Sequence, residues 1–449
     1  MLQFGPHSAV GRTVSRRTST ASGHPFAASY ALMLLLLGSC MAPGASQRGG
    51  LNCSDPSVAP WLTICQADLP PSQRWIYGDA GEFLEINGHR MHYVDIGGQG
   101  HPVPAPVFVL LHGQPTWGYL WRNVAKRLAG CNASDFPQFD DPCDGPDQPG
   151  IARVVIPDYV GFGRSDKPPI DFDGSGATAF DYSISSHVDQ LEGLLDALGL
   201  GAQNGGPELV LVAHDWGGGI GAGYLGRRPD NVAGFVCLEC VMFDLPLEVW
   251  REGALGGVGE AFPGCCGFFD QLRTVQAWKY VFERHWFLEI FENWIVRGLS
   301  DAERRFYSFP FVRPRDRWGS FHFPQQLVVG EATFPNGTTM SQTDPAPPSL
   351  ESLPAGMVVP SPSGVWLEMQ RGRNALFRRP VPKLFLTAEN GIIFPPGSPF
   401  LAAFVDAASA FPDSLTGPIN VGLAGHYAQE DQPENISRAI MEWHDATFT

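Results

Sequence analysis

At residues 209–221 an apolar run, Leu209 to Val212, leads through Ala213 and His214 into Asp215, Trp216 and a series of glycines. Ala213-His214-Asp215-Trp216-Gly217 has the form small-x-nucleophile-x-small, in which a sharp strand-to-helix turn strains its central residue and needs small neighbours. The helix N-terminus behind the turn favours an ionised carboxylate. A serine at this point would attack a carbonyl. An aspartate is a workable nucleophile toward saturated carbon bearing a leaving group, and the product is an alkyl ester on the enzyme that water must then cleave. Two other readings compete. Gly217, Gly219 and Ala222 match G-x-G-x-x-A, with Glu239 placed as a ribose-binding acid, but a carboxylate there would repel pyrophosphate and an indole would block its approach. Asp215 as a plain helix cap leaves Trp216 unexplained.

Ester cleavage requires a base, and the base requires a carboxylate to orient it. His426 in Gly422–Asp431 (GLAGHYAQED) lies in the loop before the final helix, where the base is expected. Glu239, ending the strand after the elbow helix, and Glu389, after strand 383–388, are the candidate acids. In the usual arrangement the acid falls a little further along than Glu389, where this chain has Gly391; this favours Glu239. An ester oxyanion needs two backbone donors, and the amides of Trp216 and Gln114 (His112-Gly113-Gln114-Pro115) are placed to supply them. The Trp216 indole N–H and the Gln114 side-chain amide are also donors, suited to a departing halide.

These groups need a scaffold. Phe83–Ile86 and Met91–Ile96 flank Asn87-Gly88 as a hairpin. Val107–Leu111, Val154–Ile156, Leu209–Val212, Phe235–Leu238, Lys383–Leu386 and Ile419–Val421 read as strands, and Tyr119–Leu128, Tyr182–Leu198 and Glu434–His444 as helices. The alternation predicts an α/β fold, a mostly parallel sheet flanked by helices. It stops between Cys240 and about Arg379. There, 270–297 has apolar residues at helical spacing, and 328–363, rich in Pro, Ser, Thr and Gly, reads as a long loop. The predicted organisation is a leader over 1–46, an N-terminal segment over 47–80, a core over 81–240 and 380–449, and an inserted helical lid over 241–379. Lid aromatics would suit an apolar substrate cavity; taken singly, each is more economically read as core.

The net charge of −16 argues against nucleic acid and anionic membranes as partners. Residues 1–50 hold no acid, and Arg12, Arg16 and Arg17 precede the apolar run Phe26–Leu37 and then small residues. That is the layout of a secretory signal, too short for a stable membrane span. An organelle transit peptide is one alternative; a lipoprotein signal ending at Cys40 is another if the source is bacterial. Cys53/Cys65 and Cys131/Cys143 sit in loop-like sequence that suits local disulfides. Among Cys237, Cys240, Cys265 and Cys266 no C-x-x-C pair repeats and no His follows at ligand spacing, which favours structural cysteines over a zinc set, and the Asp-rich 131–150 matches no calcium loop. Sequons at Asn52, Asn132, Asn336 and Asn435 add to the expectation of a secreted or lumenal protein. No metal or cofactor is implied, and no oligomeric state.

The segments HGQPTWGYLWRN (112–123), PDYVGFGRSDKP (157–168), VAHDWGGGIG (212–221), CLECVMFD (237–244), LSDAERRFYSFPFVRP (299–314), VPKLFLTAENGIIFPP (381–396) and GLAGHYAQEDQP (422–433) together resemble the haloalkane dehalogenases of the α/β-hydrolase superfamily. The resemblance covers most of 81–449. It implies Asp215 as nucleophile, His426 as base, Glu239 as triad acid, Trp216 with residue 114 as the halide-binding pair, and Pro310 near the halide pocket. It implies a small apolar halogenated substrate and water as reactants. The pattern with the acid at 239 usually has Asn after His-Gly; Gln114 is one methylene longer, which bears on halide affinity and pocket size. The leader and the insertions at 131–150 and 328–363 are unlike compact bacterial members. Epoxide hydrolases share His-Asp-Trp-Gly and would need lid tyrosines, for which Tyr280 and Tyr307 are the candidates. Coelenterazine-type luciferases are similar to the same family. A non-catalytic binding protein on this scaffold is a reading of a different class.

Overall fold

The apolar runs pair into one eight-stranded sheet. The computed structural model describes residues 81–96, 106–130, 153–168, 180–202, 208–242, 275–326, 330–333, 339–342, 368, 371–372, 374–408 and 410–448, all within the unit Pro60–Thr449. In chain order the elements are β1 (Gly81–Ile86), β2 (His89–Ile96), β3 (Val107–Leu111), α1 (Arg122–Ala129), β4 (Val154–Pro157), α2 (Ile184–Ala197), β5 (Leu209–Asp215), α3 (Trp216–Arg227) and β6 (Val232–Cys240). Then come α4 (Val275–Arg284), α5 (Trp286–Asn293), α6 (Asp301–Ser308), α7 (Trp318–His322), β7 (Gly330–Thr333) and β8 (Thr339–Gln342). The chain returns through β9 (Lys383–Thr387), α8 (Pro399–Ala408), β10 (Leu415–Asn420) and α9 (Pro433–Phe448).

The sheet order is β1-β2-β4-β3-β5-β6-β9-β10. β1, β2 and β4 pair antiparallel; every pairing from β4 to β10 is parallel. Strands covered on both faces need apolar residues without alternation, and β3 (VFVLL) and β5 (LVLVAHD) are buried throughout. Successive side chains still alternate between faces. Leu209, Leu211 and Ala213 join the core on the α2/α3 side, while Val210 and Val212 join the core on the α1/α9 side. Each fully buried side chain of this size contributes about 1.5–3 kcal/mol. β10 is an edge strand, and Pro418 is tolerated there because an edge leaves backbone donors unpaired in any case.

Local signals set the helix starts. The Ser183 hydroxyl accepts from Ser186 N at the start of α2. Ser300 and Glu303 form a reciprocal capping box at the start of α6.

Three features depart from the sequence reading. The helical pattern of 270–297 divides into α4 and α5 at His285, whose φ of 56° is left-handed and interrupts helical hydrogen bonding. The predicted loop 328–363 contains the antiparallel pair β7–β8. Glu368 and residues 374–379, grouped with the lid by sequence, pack on the core. Glu368 accepts two hydrogen bonds from Arg227 of α3, and Ala375, Leu376 and Phe377 join the buried cluster beside the sheet. The leader, the paired cysteines 53/65 and 131/143, and sequons 52, 132 and 336 lie outside the described residues. Asn435 lies within them: its Nδ2 donates to Val421 O and Gln432 Oε1, both at 2.8 Å. Among the described residues no helix is long and apolar enough to cross a membrane.

Candidate active site

β5 ends at Asp215, and α3 begins at the next residue. Asp215 has φ 52° and ψ −128°, the strained turn expected of an elbow. Its side chain makes no capping hydrogen bond to α3, so helix capping does not account for the carboxylate. The tight approach explains two glycines. A Cβ on Gly113 would fall 2.2 Å from Asp215 Cβ, and one on Gly217 would fall 2.4 Å from Leu111 O. The turn and the loop after β3 therefore touch backbone to backbone. At that contact Gln114 N donates to Asp215 Oδ1 at 2.7 Å.

The other carboxylate oxygen faces a histidine. His426 Nε2 lies 3.4 Å from Asp215 Oδ2, and His426 Nδ1 lies 3.1 Å from Glu239 Oε2. A carboxylate accepts only, so Nδ1 carries the hydrogen. Glu239 is the penultimate residue of β6, with φ 50°, and is fully buried. Three backbone amides hold it: Ile392 N at 2.6 Å and Ile393 N at 2.8 Å on Oε2, and Phe394 N at 2.8 Å on Oε1. A Cβ on Gly391 would fall 2.5 Å from Glu239 Oε1, so an acid at 391 and one at 239 would compete for the same space. Glu389, the rival candidate, is exposed. Burial opposes charging of the His426 imidazole, but its hydrogen bonds and charge interactions with Asp215 and Glu239 lift its pKa to about 9.

Trp216 is buried at the start of α3, with its ring 4.8 Å from that of Phe323. Gln114 is buried as well, but its side chain is directed to the lid: Nε2 donates to Ser320 O of α7 at 2.9 Å. The sequence reading had both its amide hydrogens available for a halide; one is committed here. Pro310 is buried in the 3-10 turn Phe309–Phe311, beside Phe311, which shares a buried cluster with Trp216. Tyr307 is buried and its hydroxyl donates to Glu430. Tyr280 carries the Arg284 guanidinium over its ring at 5.1 Å. Several lid aromatics pack on one another, Phe282 against Trp318 and Phe321, which is the core role rather than a lining one. Cys237 and Cys240 are free and buried, and the Cys240 thiol donates to Ala213 O at 3.2 Å.

Sequence reasoning missed the groups that surround His426. His214 Nε2 donates to His426 O at 2.8 Å, and burial pushes its pKa down to about 3, so it stays neutral. The Tyr427 hydroxyl donates to Gln114 O at 3.1 Å. Glu430 accepts from Arg122 of α1 at 2.5 and 2.8 Å, from Arg297 and from Tyr307. Asp431 accepts from Gly425 N at 2.9 Å and Arg297 N at 2.8 Å. His214 and Tyr427 adjoin Asp215 and His426 in sequence, which was an available signal. Their partners are more than two hundred residues away, which was not.

The profile of the alpha/beta hydrolase fold matches residues 106–264. Haloalkane dehalogenases from two strains of Sphingobium indicum are 29% and 30% identical to this chain, each over 363 residues, 80% of this chain and 93% of the relative. One from Mesorhizobium japonicum is 27% identical over 80% of this chain and 89% of its own length. Among solved structures, a putative ancestral haloalkane dehalogenase superposes with a TM-score of 0.57 at 25% identity, covering 82% of this chain and 99% of its own. The haloalkane dehalogenase DbeA from Bradyrhizobium elkani shares the fold, with a TM-score of 0.58 at 24% identity over 82% of this chain and 98% of its own. The protein is thus an α/β-hydrolase by fold. Within that class the chain belongs to the haloalkane dehalogenase family.

Proposed function

We propose that this enzyme hydrolyses carbon–halogen bonds of small apolar haloalkanes, with Asp215 as nucleophile, His426 as base and Glu239 as the acid that orients it. The carrying observation is the relay from Glu239 through His426 to Asp215 Oδ2, with Oδ1 already held by Gln114 N. Oδ2 attacks the saturated carbon. The carbon–halogen bond breaks with both electrons leaving on the halide, which the Trp216 indole N–H receives. The alkyl ester on Asp215 is neutral, so the charge that raised His426 is reduced, its Nε2 proton is given up to solvent, and the imidazole becomes a competent base. His426 Nε2 takes a proton from water, and the hydroxide attacks the Asp215 carbonyl carbon. The oxyanion forms on Oδ1, between the amides of Gln114 and Trp216. Collapse expels the alkoxide, which takes the proton held on His426 Nε2 and leaves as the alcohol; the acid formed on Asp215 then passes its own proton to His426 and is the carboxylate again. Water is the only cosubstrate.

In an epoxide hydrolase a lid tyrosine must protonate the opening oxygen, and the Tyr307 hydroxyl is engaged by Glu430. This supports the dehalogenase reading. The test is halide release across a panel of haloalkanes with epoxides alongside, paired with His426→Gln. In that variant the alkyl-enzyme should accumulate, visible as added mass on the peptide carrying Asp215. Unimpaired steady turnover by His426→Gln would refute the mechanism. A secreted or lumenal location is also part of the proposal, resting on the leader, the cysteine spacing and the sequons at 52, 132 and 336. Glycosylation at Asn435 would displace its two hydrogen bonds, so that sequon adds no support.

A further inference from the structure

Gln114 touches three parts of the molecule at once. Its backbone N–H donates to the Asp215 carboxylate at 2.7 Å, and its carbonyl accepts from the Tyr427 hydroxyl, next to the base, at 3.1 Å. Its side-chain Nε2 donates to the Ser320 carbonyl of the lid helix α7 at 2.9 Å. The orientation of that amide is unambiguous in chemical terms: a backbone carbonyl only accepts, so the nitrogen must face it. Both ends of the bond are buried, Gln114 at 8% exposure and Ser320 at 3%. The two residues are 206 apart in sequence, so the bond joins the loop after β3 directly to the inserted lid.

The length of the side chain accounts for this reach. An asparagine amide would end one methylene nearer its own backbone and, from the same Cα, stop short of α7. With one hydrogen committed to the lid carbonyl, the amide is anchored toward α7 and is not free to swing onto an anion at the elbow. We propose that Gln114 is a core–lid latch, a positioning residue that ties α7 to the oxyanion loop, rather than a halide donor. The halide is then held chiefly by Trp216. The proposal rests on the site assigned under the proposed function, but its decisive readout requires no turnover.

The experiment uses the full chain and two variants. Gln114→Met keeps the side-chain length and removes the donor; Gln114→Asn keeps the donor and shortens it. Amide hydrogen exchange is followed in the peptide spanning 318–323, with the β5 peptide as a folding control. Bromide affinity is read by tryptophan fluorescence, with Trp216→Phe as the blank. In both variants exchange over 318–323 should quicken by about 2- to 12-fold, the effect of losing one ordinary hydrogen bond, while β5 is unchanged and bromide affinity is retained. Unchanged lid exchange in variants whose β5 is intact overturns the latch. So does a tenfold loss of bromide affinity in Gln114→Met, which would make Gln114 the halide donor. If one variant also loosens β5, the other decides. A wild-type protein that binds no bromide would refute the halide site of the proposed function, and the exchange data alone would then settle the latch.

Discussion

The strand ends that carry Asp215 and Glu239 and the inserted lid segment that contacts them are held by different forces. Asp215 and Glu239 are fixed by backbone: positive φ at each, glycines at the contacts, and amide donors from 114 and from 392–394. The lid is fixed largely by side chains, beside a backbone bond from Tyr427 N to Trp294 O at 3.5 Å. Arg297 and Glu303 meet Arg122 and the buried Glu430 in one charge network, and Ser320 meets Gln114. Backbone donors are pre-placed by the sheet and lose little entropy on use; long side chains do not share that advantage. The difference predicts a nucleophile geometry insensitive to lid variants and a lid whose attachment can be loosened without unmaking the triad.

Breaking the strand-end side gives the largest effect. Asp215→Asn should lower turnover at first by about 10⁴-fold or more, measured as halide release, with slow partial recovery if the amide is deamidated in place. Glu239→Gln leaves the shape but removes the charge that orients His426. On the order of 10³- to 10⁴-fold should be lost in kcat, with Asp215 alkylation affected less than ester hydrolysis in single-turnover measurements. A Glu239→Gln enzyme with ordinary kcat would remove this residue from the relay.

Breaking the lid side should register first in stability. Glu430→Gln leaves Arg122 and Arg297 facing a neutral amide, and loss of one partner from a buried ion network costs about 3–5 kcal/mol. Denaturant melts should show it. An equal fall in Asp215 alkylation would mean that the two regions are less independent than their bonding indicates.

The smallest effect sharpens the comparison through pH. His426 is raised to about 9 in the folded state, above an ordinary 6.5, so its contribution to stability is full below pH 6.5 and is lost as pH rises through about 9. His187 and His214 are depressed to about 3 by burial. Their contribution is full above pH 6.5 and is lost as pH falls toward 3. Thermal melts across pH should therefore fall away on both sides of about 6.5 where these three groups dominate. His426→Gln should flatten the alkaline limb and leave the acid limb in place; a variant that flattens neither would contradict the assignment of that limb.

Much of this was legible without coordinates because its causes are local. Apolar runs of four to seven residues mark strands buried on two faces, and β3, β4, β5 and β9 start at the residues expected. Small residues on either side of Asp215 mark a turn that only they tolerate. Other features were not legible. The break at His285 depends on one left-handed residue with no glycine to announce it. The packing of Glu368 on the core depends on Arg227, well over a hundred residues earlier.

The sequence by itself determined the type of sheet, the elbow with its carboxylate and the loop that must carry the base, because each follows from residue size, polarity and spacing within a few positions. Only the tertiary structure decided that Glu239 rather than Glu389 faces His426, that the Tyr307 hydroxyl is held by Glu430, and that the Gln114 amide reaches the lid. Those outcomes turn on hydrogen-bond distances between residues 123 to 206 positions apart. No local pattern encodes them, since a polar side chain's partner is chosen by whichever buried group the folded backbone brings within about 3 Å.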